Sequence, residues 1–248
     1  MKKRHSEIIE IVSQRKKIEV NELAQILNTT PVTIRKDLTY LQDKGILRRE
    51  RGFALLNSPD DINYRMAFHF ENKKKIAEYA AKLVSDGETI ILESGSTCAL
   101  FAEEVAYTHK NVTFITNSAY IANYINSNNN NQVILLGGFY SKNHQAVIGP
   151  MTKECVKDFY VDKIFVGIDG YSKQMGFTGN DVMRADTIQA MTKSAEKVII
   201  LSESSKFQKS TAIPYLKEEQ VYQVITDKNI DNDIKKYLES KNIVVSTV

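Results

Sequence analysis

Cysteine is scarce in this chain: Cys98 and Cys155 are the only two in 248 residues, too few for a disulfide framework. The four histidines are scattered without the spacing of metal ligands, and no metal or cofactor is expected. Glycine (11) and proline (4) are few, as in a folded rather than a low-complexity chain. No apolar run approaches the ~18 residues that a membrane span needs, so no membrane partner is expected. The opening stretch, MKKRHSEIIEIVSQRKK, is broken by charge every few residues and does not read as a signal peptide. With so few thiols, a reducing cytoplasm is the expected location. Also missing are G-x-x-x-x-G-K-[ST], which excludes a P-loop, and G-x-G-x-x-G, which leaves a dinucleotide site unsupported.

What is present is unevenly distributed. Residues 1–57 hold 12 Lys/Arg against 7 Asp/Glu, a net +5, while the remaining 191 hold 21 against 23, a net −2. A small basic head on a faintly acidic body points to a polyanion as partner of the head alone. The same asymmetry also describes a solvated helix surface. The body is long enough to bury about 70% of its extended-chain surface and to fold without staples.

Periodicity divides the chain in two. Ile8, Ile11 and Val12 share a helical face, with Ile9 beside it. A second helix is expected from Asn21 as N-cap, with Leu23, Ile26 and Leu27 as its buried stripe. A third should be capped by Thr30, begin at Pro31 and end at Gly45. Ile34, Leu38 and Leu41 recur in it at i, i+4, i+7 and must face the other two helices. Two short strands around Arg51-Gly52 then read as a hairpin. Together these predict a winged helix-turn-helix over residues 1–57. A linker is expected over 58–72, marked by the polar, turn-forming stretch Asn57-Ser58-Pro59-Asp60-Asp61, and a second domain over 73–248. There, short apolar strands at 88–92, 112–116, 132–136, 163–167, 197–201, 223–226 and 243–246 alternate with helices near 72–85, 97–107, 118–126, 151–160, 182–195 and 231–239. Residues 128–131, four asparagines, read as a solvated loop. The expected class is α/β, with a mostly parallel sheet.

The third helix is oddly basic at its start. Helix openings favour acids because that end of the dipole is positive, yet Arg35 and Lys36 precede the first acid, Asp37. A helix that enters the major groove meets base edges with its N-terminal residues, and phosphates are drawn to its free N–H groups. Thr30, Thr33, Arg35 and Lys36 suit that task, and Arg48, Arg49 and Arg51 place further cations on the wing. A basic helical hairpin used for protein contact is the competing reading. Asp37 would be repelled by phosphate, so it is expected to pair within the fold, with Arg48 or Arg49, or to brace Arg35.

Residues 18–49, IEVNELAQILNTTPVTIRKDLTYLQDKGILRR, resemble the N-terminal signature of the DeoR family of bacterial transcriptional regulators. The match runs through Leu23, Ala24, Thr33, Ile34, Arg35, Lys36, Asp37, Leu38, Leu41, Gly45 and Arg49. Two departures stand out. The usual Val-Ser before the third helix is Thr29-Thr30, and the usual His-Gly-Gly-Ala wing tip reads Arg51-Gly52-Phe53-Ala54.

In the body, strand 88–92 runs into Glu93-Ser94-Gly95-Ser96-Thr97 and then a helix. Free N–H groups, two hydroxyls and a helix dipole make a phosphate cradle at a strand's carboxyl end. An ordinary Ser/Thr cap explains the same turn. Four more strand ends carry polar or glycine residues: Thr116-Asn117, Gly137-Gly138, Asp169-Gly170 and Ser204-Ser205-Lys206. On parallel strands such ends assemble a ligand crevice. Ser96, Thr97 and Lys206 are expected to hold a phosphate, and Asp169 and Asn117 to bond sugar hydroxyls. Lys206 taken alone reads better as a surface lysine.

These pieces are similar to the DeoR-type effector domain, which is related to ribose-5-phosphate isomerases, and Lys73 falls at the lysine of that domain's K-x-x-I-A helix. The family's Asp is Glu at 93 and again at 203, and its basic residue after the double glycine is displaced to Lys142. The resemblance implies effector-binding at Gly95, Ser96, Thr97, Asn117, Gly138, Asp169, Gly170 and Lys206. It also implies a homo-oligomer, dimer or tetramer, on double-stranded operator DNA, acting as a repressor answering to a phosphorylated sugar or polyol. Two alternatives stand beside it. One is a sugar-phosphate isomerase with a DNA-binding head, although no second acid follows Asp169-Gly170 at the spacing of those enzymes. The other is a thiol-redox regulator using Cys98 and Cys155.

Overall fold

The computed structural model describes residues 3–43, 45–56, 62–125 and 130–248. It divides into two compact units, Met1–Glu71 and Asn72–Val248.

The first unit runs α1 (Lys3–Arg15), β1 (Lys17–Glu19), α2 (Val20–Ile26), α3 (Pro31–Asp43), β2 (Arg48–Glu50), β3 (Phe53–Leu55) and α4 (Ile62–Ala67). Ile8, Ile9, Val12, Leu23, Ile34, Leu38 and Leu41 are fully buried, but the expected stripe of the second helix holds only at Leu23: Ile26 is 46% exposed and Leu27, like Ile11 of the first helix, is half-buried. Each full burial contributes about 1.5–3 kcal/mol. Thr30 caps α3, its Oγ1 accepting the N–H of Thr33 at 3.2 Å, and Pro31 is the first helical residue. After α3, Gly45 at φ 73° lets the Ile46 N–H turn back to the Leu41 carbonyl. The hairpin turns on Arg51 (φ 44°) and Gly52 (φ 89°), the paired left-handed residues that a two-residue turn requires.

Three details depart from the sequence reading. β1 joins the wing, giving the order β1-β3-β2. Because Glu19 pairs with Phe53 and the Val20 N–H donates to Gly52, α2 starts where the strand stops. Its N-cap is therefore Glu19, not Asn21. Within the stretch read as linker, residues 62–67 form α4, which buries Ile62, Asn63, Met66 and Ala67. Residues 57–61, the polar stretch that marked the linker, lie outside the described residues, as do 126–129 at the asparagine-rich loop.

The second unit begins with α5 (Phe70–Ala81), β4 (Thr89–Leu92), α6 (Ser96–Thr108), β5 (Thr113–Thr116), α7 (Ala119–Tyr124) and β6 (Gln132–Leu135). It continues through β7 (Phe139–Ser141), β8 (Ala146–Ile148), α8 (Pro150–Val156), β9 (Val161–Val166), β10 (Gly170–Ser172), β11 (Gly176–Gly179) and α9 (Val182–Thr192). Last come β12 (Ala195–Leu201), a 3₁₀ turn (Ser204–Gln208), β13 (Ile213–Leu216), β14 (Gln223–Thr226), α10 (Asn232–Ser240) and β15 (Val244–Thr247). The seven strands read from the sequence form one parallel sheet, ordered β15-β14-β12-β9-β4-β5-β6. Ile91, Ile115, Ile164, Val166, Val198 and Ile200 belong to its core. Several helices are shorter than the apolar pattern suggested: α8 stops at Val156 and α9 at Thr192. The β7–β8 hairpin and the antiparallel sheet β10-β11-β13 were not expected from the sequence. Their strands are only three or four residues long, with too little period to register.

Candidate functional site

In the first unit the exposed face of α3 and the wing carry the cations. Thr30, Arg35 and Lys36 are exposed and Thr33 half-exposed. No ion pair holds Arg35, Lys36 or Arg51 among the described residues, whereas Arg48 pairs with Glu50 at 3.2 Å. Arg49 Nη1 donates to Thr39 Oγ1 (2.9 Å) and to the Arg35 carbonyl (3.4 Å), so it ties the wing to α3. The helix opens with no acid in its first turn.

Asp37 does not pair with Arg48, Arg49 or Arg35. It faces α1, where Arg4 Nε donates at 2.5 Å and Nη2 at 3.2 Å, and His5 Nε2 donates at 3.0 Å. Asp37 lies at i+3 from Ile34 on the buried face, which is why it meets α1 and not the wing. His5 also stacks on Tyr40, centroids 4.7 Å apart. Burial works to raise the Asp37 carboxyl, but hydrogen bonds from Arg4 and then His5 outweigh it and hold it below its ordinary range.

In the second unit, β12, β9, β4, β5 and β6 are consecutive in the sheet, so the five polar or glycine-rich strand ends lie along one edge. At their centre is a charge cluster that the sequence reading only half anticipated. Arg184 is 2% exposed. Its Nε donates to Glu93 Oε1 at 2.8 Å, and its Nη1 to Asp169 Oδ2 at 2.9 Å and Tyr215 Oη at 3.3 Å. Asp181 caps α9 by accepting the Arg184 N–H at 2.7 Å, which fixes where the arginine leaves the helix. Burial pushes Glu93 up, but Arg184 beside it prevails and keeps the carboxylate ionised below its usual range. The two carboxylates in turn hold Arg184 well above its ordinary value, against its own burial. Burial raises the Tyr215 phenol to about 12, so it stays a neutral donor or acceptor.

The glycine-serine-threonine turn lies against this cluster. A Cβ on Gly95 would stand 3.2 Å from Glu93 Oε2 and 3.3 Å from the Gly167 Cα, a tight contact that would make its neighbours give way by a few tenths of an ångström. Gly95 is the N-cap of α6 and offers no capping side chain, and α6 has no acid in its first turn. The first intrahelical bond is Ala99 to Gly95. The N–H groups and hydroxyls of Ser96 and Thr97 therefore make no hydrogen bond among the described residues. Gly138, at φ 150°, leaves room for Thr152, whose Oγ1 would stand 2.0 Å from an added Cβ.

The remaining expected residues are placed as follows. Asn117 is fully buried, its Nδ2 donating to the Val147 carbonyl while Oδ1 has no partner among the described residues. Asp169 is engaged by Arg184, and Gly170 packs against the Lys209 carbonyl. Lys206 is half-buried within the 3₁₀ turn. Lys73 is buried, at 4% exposure, and Lys142 is exposed. Cys98 is fully buried and burial raises its thiol well above the usual value, which leaves it a poor nucleophile.

Arg184 and Tyr215 are the residues that sequence reasoning missed. Arg184 had a usable signal: with Ile188 and Met191 it recurs at i, i+4, i+7, the stripe that faces the core. Tyr215 had none, since it lies on β13, too short to read.

A winged helix-turn-helix with an exposed basic helix, joined to a parallel α/β unit whose strand ends gather a polar, charged cluster, is the architecture of a transcriptional regulator with a sensor domain. Residues 4–60 match the DeoR-like helix-turn-helix domain and residues 69–228 the DeoR C terminal sensor domain, so the chain belongs to the DeoR family. Full-length relatives agree. The chain is 28% identical to the HTH-type transcriptional regulator GolR of Listeria innocua, over 98% of this chain and 96% of that one. It is 26% identical to the putative aga operon transcriptional repressor of Escherichia coli O157:H7 (99% and 93%). It is 25% identical to IolR of Bacillus subtilis (97% and 96%). Among solved structures, ribose 5-phosphate isomerase A of Methanocaldococcus jannaschii matches 56% of this chain and 55% of its own at 21% identity, with a TM-score of 0.41. No helix among the described residues is long and apolar enough to cross a membrane.

Proposed function

We propose that this chain is a repressor that binds double-stranded operator DNA through residues 1–57 and is controlled by a phosphorylated sugar or polyol held in residues 73–248. Thr30, Thr33, Arg35 and Lys36 meet the major groove, while Arg48, Arg49 and Arg51 follow the backbone or minor groove. A relative carrying the printed name of an operon repressor supports the sign of control. One head offers a small interface, so two or more act together, as a dimer or tetramer, on repeated half-sites.

The effector reading rests on one observation above all: the start of α6 is left open, with the N–H groups and hydroxyls of Ser96 and Thr97 unused beside a buried cation. That is the chemistry of an anion cradle. Arg184 then has a task there. Glu93 and Asp169 would repel a phosphate dianion at that turn, and the guanidinium between them offsets the repulsion. Asn117, Gly138, Asp169, Gly170 and Lys206 complete the crevice for the polar body of the ligand. An effector changes operator affinity only by binding the DNA-competent and incompetent states unequally, and the effect is reciprocal.

The test is a thermal-shift screen of the full chain against phosphorylated sugars and polyols, followed by operator binding with each hit. An effector at 100 times its dissociation constant stabilises by about 2.7 kcal/mol. Unphosphorylated analogues should give no shift. Stabilisation by the free sugar alone would sink the phosphate reading, and turnover of the ligand would restore the enzyme alternative.

A further inference from the structure

From Asn111 to Ser141 the chain runs 31 residues without an Asp, Glu, Lys or Arg, although a quarter of the chain is charged. This segment supplies β5, β6 and β7, and β6 is an edge strand of the parallel sheet. Gln132 and Leu136 donate inward to Val112 and Thr116. By strand alternation the amides of Val133 and Leu135 point outward, and they pair with nothing among the described residues. Natural edges are shielded by charge, proline or a covering element, and Gln132–Leu135 contains neither charge nor proline.

The side chains around that edge are apolar and exposed: Ile134 37%, Leu135 46%, Phe139 67%, Tyr140 50%, Met151 64% and Met183 44%. They flank the edge on both sheet faces: Ile134 and Leu135 alternate on β6, Phe139 and Tyr140 follow on β7, and Met151 lies 3.8 Å from the Cβ position of Gly137, just beyond β6. At about 200 Å² for a fully exposed large side chain they offer on the order of 600 Å². Shared between the two faces of the edge, that area approaches the roughly 800 Å² per partner of a stable interface.

We infer that this edge is a two-fold interface in which β6 pairs antiparallel with β6 of a second copy of the chain, joining two sheets into one. Charge selects the occupant. A two-fold contact sets each patch against its own copy, so a charged edge would meet like charge, and a neutral edge escapes that repulsion. An unlike partner of either sign would find nothing here to steer it. The interface also brings two heads into one particle, which a repeated operator requires, and it stands independently of which effector is bound.

The full chain should sediment as a dimer or larger species. The double variant Leu135→Lys/Phe139→Glu should release 28.1 kDa monomers with an unchanged circular dichroism spectrum. Tyr160→Lys, on a 73% exposed residue away from this edge, should leave the mass as it was. If the charged pair aggregates, Leu135→Ala/Phe139→Ala decides: a rise of at least tenfold in the dimer dissociation constant supports the interface, and no change overturns it. A monomeric parent protein, an edge variant of parental mass, or dissociation by Tyr160→Lys alone would each overturn it as well.

Discussion

In the head, Arg35, Lys36 and Arg51 stand in solvent with no ion pair among the described residues, whereas in the body Arg184 is 2% exposed and gripped by two carboxylates. The two settings give the same side chain opposite energetics. An exposed cation costs little to hold and is available to a polyanion, which releases condensed counterions as it binds. A buried cation has given up its hydration and stays only while its partners stay. The head therefore separates binding from stability, and the body couples them.

The largest expected effect breaks that coupling in the body. Arg184→Leu leaves the fully buried Glu93 without its counter-charge, and loss of one partner of a buried pair costs about 3–5 kcal/mol. Urea unfolding of the full chain should show it as a lower midpoint for the body transition. Adding Glu93→Gln should recover part of the loss, because it removes a stranded charge. A midpoint unchanged by Arg184→Leu would mean that the cluster is solvated and not buried.

The same truncation in the head should behave in reverse. Arg35→Ala is expected to leave the unfolding midpoint within about 0.5 kcal/mol and to weaken operator binding by about 1–3 kcal/mol if Arg35 reads a base. Discrimination at one operator position should then relax. Lys36→Ala should instead weaken all sequences alike and reduce the salt slope by about 1. If Arg35→Ala lowered stability as much as Arg184→Leu, the contrast between the two units would be false. The measurement is a pair of salt titrations of operator binding beside a denaturant curve.

The two units were not equally legible from sequence. In the head, Ile34, Leu38 and Leu41 announced the buried face of α3 by spacing alone, and the hairpin by Arg51-Gly52, because each signal is local. In the body the seven parallel strands were readable as apolar runs for the same reason, and their polar ends lie along one edge of the sheet. What stayed hidden depended on contacts across distance in the chain. Glu93 and Arg184 are 91 residues apart, and nothing in either segment names the other. Asn21 failed as a cap because β1 pairs with β3, a contact made 34 residues downstream at Glu19 and Phe53. Asp37 went to α1 for a similar reason: Arg48, Arg49 or Arg35 was the expected partner, and the residues that meet it, Arg4 and His5, lie more than 30 positions away and carried no pattern of their own.

Asp37 supplies the smallest predicted effect and the sharpest test of the contrast, because it is the head's own buried charge. Its carboxyl is held below the ordinary range by Arg4 and His5 despite its burial. A group depressed on folding stabilises above its unfolded value, about 3.9 for aspartate, and loses that contribution as pH falls through the lower folded value. Asp37→Asn should thus lower protection of the α3 amides against hydrogen exchange at neutral pH. The buried bond to His5 is worth about 1 kcal/mol. The difference from the parent should persist down to the ordinary carboxylate range and close below it. Operator affinity per folded molecule should not change, since Asp37 points away from the cationic face. A variant that binds DNA more tightly while folding normally would place Asp37 on that face and return it to the role of repelling phosphate.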